Sequence, residues 1–108
     1  MQKAHLNLIK YALAQGCTIS VWDGEEWQVK RSTSYKAIKD AAESVDESQL
    51  RIRDSNDNVI GWALVIPDCT FEPVEYVADH SITPLMSQWA EQYAELQHKH
   101  LGLTKHYL

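Results

Sequence analysis

The sequence predicts a single α+β domain of order α-β-β-α-β-β-α, in which helices pack a four-stranded, mainly antiparallel sheet. Three observations carry this. Segments whose apolar residues lie three and four apart alternate with segments in which they lie two apart. An Asp-Gly dipeptide and an Asp/Asn-rich loop each join two segments of the second kind, as hairpin turns do. The length of 108 residues is that of one domain, enough to bury roughly two-thirds of the surface exposed by the unfolded chain. Residues 1–108 therefore read as one unit.

The first helix is expected over residues 3–15, where Leu6, Ile9 and Leu13, with Leu8 and Ala12 beside them, fall at helical spacing. Gly16 stops it. In "CTISVWD", Ile19 and Val21 alternate with Ser20 and Trp22, and in "EWQVKRS" Trp27 and Val29 alternate with Gln28 and Lys30. On that alternation Trp27 belongs to the core. Asp23-Gly24 turns the chain between the two strands, because glycine takes positive φ without steric cost. Ser34 caps a second helix whose inward stripe is Tyr35, Ile38, Ala41, Ala42 and Val45.

A second hairpin follows. "QLRIRD" sets Leu50 and Ile52 against Arg51 and Arg53, "DSNDN" is turn chemistry, and the apolar "VIGWALVIP" reads as a central strand covered on both faces. The hairpins share a pattern: Ile19-x-Val21-x-Asp23 parallels Leu50-x-Ile52-x-Asp54, and Trp27-x-Val29 parallels Trp62-x-Leu64. Residues 67–83 show no periodicity and read as a long loop. Thr83-Pro84 opens the last helix, Leu85, Trp89, Tyr93, Leu96 and His100 fall within about 80° of one another, and Gly102 closes it. Residues 103–108 read as a frayed tail.

Composition excludes several classes. A hydrophobic fraction of 44% with 23% charged residues is that of a globular chain. No apolar run is long enough to span a membrane, and Asn7 and Lys10 interrupt the N-terminal apolar residues, so no secretory core is read there. Cys17 and Cys69 are far apart without a CxxC spacing, which suits reduced thiols in a cytoplasmic protein. The net charge is −5, unevenly spread: residues 1–53 hold eight Lys/Arg and seven Asp/Glu, whereas residues 54–98 hold eight acids and no Lys or Arg.

Two surfaces stand out against that background. In the long loop, Asp68, Glu72, Glu75 and Asp79 surround Phe71 and Tyr76. Aromatic anchors rimmed by charge of one sign suit a protein partner with a basic patch, the charges speeding encounter. The alternative surface is the group Lys30, Arg31, Arg51 and Arg53. If the hairpins are neighbours, Lys30, Arg51 and Arg53 share the outer sheet face with Trp22, a combination that single-stranded nucleic acid or a nucleotide phosphate uses. The overall acidity places nucleic acid second among the expected partners, and homo-oligomers stay open.

Other candidates carry less. Asp23, Glu25 and Glu26 cluster at a hairpin tip without calcium-loop spacing. Glu91, Glu95 and His98 form one metal half-site where two are needed, on the helix face opposite the apolar stripe. Cys69 with Asp79-His80-Ser81 makes no catalytic constellation by chain proximity, and His98, His100 and His106 lack zinc spacing. With no phosphate loop, dinucleotide fingerprint or nucleophile elbow, the expectation is a non-enzymatic protein with no metal or cofactor.

Val21-Trp22-Asp23-Gly24, Trp27-x-Val29-Lys30-Arg31-Ser32 and Gly61-Trp62-Ala63-Leu64 resemble small hypothetical proteins of tailed bacteriophages and prophages, over residues 6–90. The resemblance transfers no activity and no functional residue. It implies an accessory protein of the bacterial cytoplasm that binds a host or phage protein.

Overall fold

A computed structural model describes residues 3–67 and 77–101. Helix α1 (Ala4–Ala14) leads into the hairpin β1 (Thr18–Trp22) and β2 (Trp27–Ser32); α2 (Tyr35–Glu43) leads into β3 (Ser48–Arg53) and β4 (Val59–Val65); then come β5 (Val77–His80) and α3 (Pro84–Leu101). The strands form one antiparallel sheet of order β2-β1-β3-β4-β5. It has five strands where the sequence predicts four. The fifth lies inside the stretch read as a loop, where four residues with one buried member, Val77, are too few to display a period.

Local chemistry explains the boundaries. Gly16, at φ +83°, ends α1 with the Gly16 N–H bonded to the Leu13 carbonyl and the Cys17 N–H to that of Ala12, the paired closure of a left-handed helix cap. Ser34 Oγ accepts the Ala37 N–H at the start of α2. The two hairpin aspartates act alike: Asp23 Oδ1 accepts the N–H groups of Glu25 and Glu26, and Asp54 Oδ1 those of Asn56 and Asn58. These bonds hold both carboxyls below the usual aspartate range. The shared sequence pattern thus marks equivalent turns, and the equivalent strands β1 and β3 pair antiparallel, Ile19 opposite Ile52 and Val21 opposite Leu50.

All three helices pack on one sheet face. Ile19, Val21, Leu50, Ile52, Ala63, Val65 and Val77 meet Leu8, Ile9, Ala12, Ile38, Ala42, Met86, Trp89 and Tyr93 in one core. α3 turns Met86 inward with Trp89 and Tyr93, and leaves Leu96 half exposed, a rotation of the expected stripe. Gly61 permits this: a Cβ there would lie 3.0 Å from Met86 Sδ. The Trp89 indole donates to Asn7 Oδ1 at 2.9 Å and ties α3 to α1.

Among the described residues the opposite sheet face carries no helix. β4 is therefore interior in the sheet but covered on one side only, contrary to the doubly covered strand its apolar run suggests; Trp62 and Leu64 are half-buried on the open face. Trp27 is also displaced from its expected place. Trp27 pairs with Trp22 while Val29 pairs with Val21, so a β-bulge turns Trp27 to the open face and keeps Val29 inward.

Candidate functional site

The open face is built from cross-strand rows. One runs Trp27, Trp22, Gln49, Leu64 and Asp79; the next places Ser20, Arg51 and Trp62 side by side; beyond it Arg53 lies between Thr18 and Val59. The Trp22 and Trp27 rings meet edge to face at 5.1 Å, the Arg51 guanidinium lies 5.2 Å above the Trp27 ring, and the Trp62 indole donates to Gln49 Oε1. Three indoles and a stacked guanidinium thus share one uncovered surface.

At the β2 side of this surface, Ser20, Trp27, Lys30, Arg31, Arg51 and Arg53 line a pocket of about 280 Å³. A second β-bulge builds its wall. Ile19 pairs with Ser32 and Val21 with Val29, so Lys30 and Arg31 together oppose Ser20. The Arg31 N–H released from the ladder donates to Ser20 Oγ at 2.8 Å, and Arg53 Nη1 reaches the same hydroxyl at 3.4 Å. Ser20 is buried beneath these basic residues although it faces away from the core.

The charges are unequally matched. Asp57, in the β3–β4 turn, accepts from Arg31 Nε at 2.9 Å and lies 3.6 Å from Arg53 Nε. Arg31 and Asp57 are 59% and 55% exposed, which leaves their pair worth about 0–1 kcal/mol. Lys30 and Arg51 have no carboxylate partner among the described residues. Four cations thus face one carboxylate. Arg31 and Asp57 are also the only described non-glycine residues with positive φ, at +48° and +67°. A left-handed non-glycine residue costs on the order of 1–3 kcal/mol and persists where surrounding bonds fix it. The Ser20 bond fixes Arg31, and the Asp54 carbonyl, accepting the Asp57 N–H at 3.0 Å, fixes Asp57.

Trp22, Lys30, Arg51 and Arg53, expected to share the outer face, do share it, and the last three line the pocket. Ser20 joins them as its alternation with Ile19 and Val21 predicts, whereas a bulge places Trp27 and turn geometry places Asp57; Trp62 lies opposite Arg51 on the same face. Of the acidic docking surface, Asp68, Phe71, Glu72, Glu75 and Tyr76 lie outside the described residues, as does Cys69. Asp79 is exposed on β5, opposite Leu64, at the sheet edge away from the basic pocket. On α3, Glu91, Glu95 and His98 are exposed. No group of three or more metal-ligating side chains stands together among the described residues, and no described helix is long and apolar enough to cross a membrane.

Fold and site define a two-layer α+β domain whose uncovered sheet face is aromatic and basic. No family model matches the chain, and no match is found among curated proteins or solved structures.

Proposed function

We propose that the protein binds single-stranded nucleic acid on the open sheet face. The observation that carries this is Arg51, stacked on Trp27 and beside Trp62, at the rim of a pocket with three further cations. Unpaired bases stack on indole and guanidinium planes while cations track the phosphates. A duplex offers no free base faces to the indoles. The face presents indoles, guanidiniums, a hydroxyl and an amide, groups that bind and stack, so the reading is a binding module and not a catalyst.

The test is fluorescence polarisation of a labelled oligothymidylate of about ten residues as salt is raised. With three phosphates engaged, a threefold rise in salt weakens binding about tenfold, and tryptophan emission is quenched. Binding without salt dependence, or no binding at low salt, refutes the reading.

A further inference from the structure

The pocket at the edge of the tryptophan surface has more positive charge than an internal phosphodiester requires. Lys30, Arg31, Arg51 and Arg53 surround it, whereas a phosphodiester carries a single negative charge. A phosphate monoester carries about −1.5 to −2 at neutral pH and presents three strong acceptor oxygens. Trp27 forms one wall of the pocket, so a phosphate among the cations leaves an attached base beside an indole.

The Asp57 carboxylate already shows the geometry. Its Oδ1 accepts from Arg31 Nε at 2.9 Å and lies 3.6 Å from Arg53 Nε, so one anionic oxygen sits between two guanidiniums, a place that a phosphate oxygen can take. It comes from a turn, its side chain is more than half exposed, and its stronger partner is equally exposed, so an incoming anion exchanges with it without opening the core. The two left-handed non-glycine residues are the two partners of this bond. Glycine suits both positions better than arginine or aspartate. Aspartate tolerates this backbone in a turn, whereas arginine takes it at a cost, so the bulge holds Arg31 at the pocket against its own backbone preference.

We propose that Ser20, Lys30, Arg31, Arg51 and Arg53 form a phosphate-monoester site, whose place Asp57 holds in the free protein. This deepens the reading of the open face, and takes from it only where the rest of the ligand lies. The monoester belongs to a strand end or to a free nucleotide, and the experiment separates these sources.

Polarisation is measured with oligothymidylates bearing 5′-phosphate, 3′-phosphate or hydroxyl ends, with thymidine 5′-monophosphate and inorganic phosphate as competitors. One phosphorylated end is expected to bind about tenfold tighter than the hydroxyl oligomer, the gain of one charge-assisted contact. Arg31→Gly, whose glycine accepts the left-handed backbone, is expected to keep its melting temperature and lose that preference. Asp57→Asn is expected to enlarge it several-fold, since a neutral amide competes less well for the arginines. Equal, salt-dependent binding of all oligomers overturns the monoester site and leaves the nucleic-acid face standing. Saturable binding of the nucleotide with no oligomer binding supports the site and overturns the nucleic-acid reading. No binding in any arm overturns both, and a smaller preference in Asp57→Asn overturns the role given to Asp57.

Discussion

Arg51→Ala separates a binding role from a structural one. Arg51 sits in the interior strand β3, with its guanidinium 5.2 Å over Trp27 and no ion pair among the described residues. A partly exposed cation–π contact is worth about 0.5–1 kcal/mol, and the aliphatic stem adds a little packing on the neighbouring indole. Truncation should therefore cost about 1 kcal/mol, a fall in Tm of about 5 °C for a domain of this size. Binding should suffer more. Loss of one charged contact costs about 1.5–3 kcal/mol, or about 10–150-fold in affinity, and the slope of log affinity against log salt should decrease by about 0.7. Arg51→Lys sharpens the test, because lysine keeps the charge and loses the planar stack: the slope should persist while affinity drops. The measurements are thermal unfolding and salt-titrated polarisation with oligothymidylate. Affinity within about twofold of wild type with an unchanged slope refutes the assignment. So does a stability loss above about 3 kcal/mol, which would place Arg51 among core-sized contributions.

Other outcomes follow from the same geometry. Trp89→Ala, in the core with its indole bonded to Asn7, should cost about 3–5 kcal/mol in urea unfolding, whereas Trp27→Ala should cost about 1–2 kcal/mol and reduce tryptophan quenching by oligonucleotide, Trp22 and Trp62 remaining on the face; equal losses would return Trp27 to the core. Gly61→Ala brings a Cβ to 3.0 Å from Met86 Sδ and 3.4 Å from Ile52 Cβ, so it should destabilise by about 1–3 kcal/mol, and Met86→Ala in the same chain should lessen the added cost. His5 is fully buried, and burial lowers its pKa below 6.5 although Glu43 Oε2, 2.6 Å from Nε2, pulls it upward. The unfolded chain then binds the proton more readily, so the His5 contribution is complete above its unfolded pKa and is lost as pH falls from there toward the folded value. The urea midpoint should drop between about pH 7 and 5 more in wild type than in His5→Gln, and parallel profiles would refute this.

The legible parts of the fold are those governed by nearest neighbours in the chain. Ser34 and Gly16 mark helix ends through a local hydrogen bond and a φ preference, Pro84 is the first residue of α3, and Asp23 and Asp54 mark turns through their own backbone bonds. The illegible parts depend on register between strands. A bulge inserts one residue in a strand, and one residue exchanges the faces of everything beyond it; Trp27 and Val29 lie on opposite faces for that reason, despite their even spacing. β5 is held by its ladder to β4 rather than by its own pattern, and the inward line of α3 is set by the gap above Gly61, which admits Met86. The site divides in the same way. Trp22, Arg51 and Arg53 follow from simple alternation along β1 and β3, which pair without irregularity. Ser20 follows with them, whereas Arg31 and Asp57 gain their positions from the bulge and from left-handed backbone, neither of which has a distinctive residue type here.

The net charge of −5 is part of how such a face acts. Residues 54–98 hold eight acids and no Lys or Arg, which weighs against binding a polyanion through a diffuse basic surface. At physiological salt, screening confines exposed charges to about 8 Å, so a phosphate seated among Lys30, Arg31, Arg51 and Arg53 is governed mainly by those four groups and by Asp57. A strand end seats its extra charge among those four groups, whereas an internal phosphodiester brings a single charge there, so a terminal monoester would gain the more from the pocket.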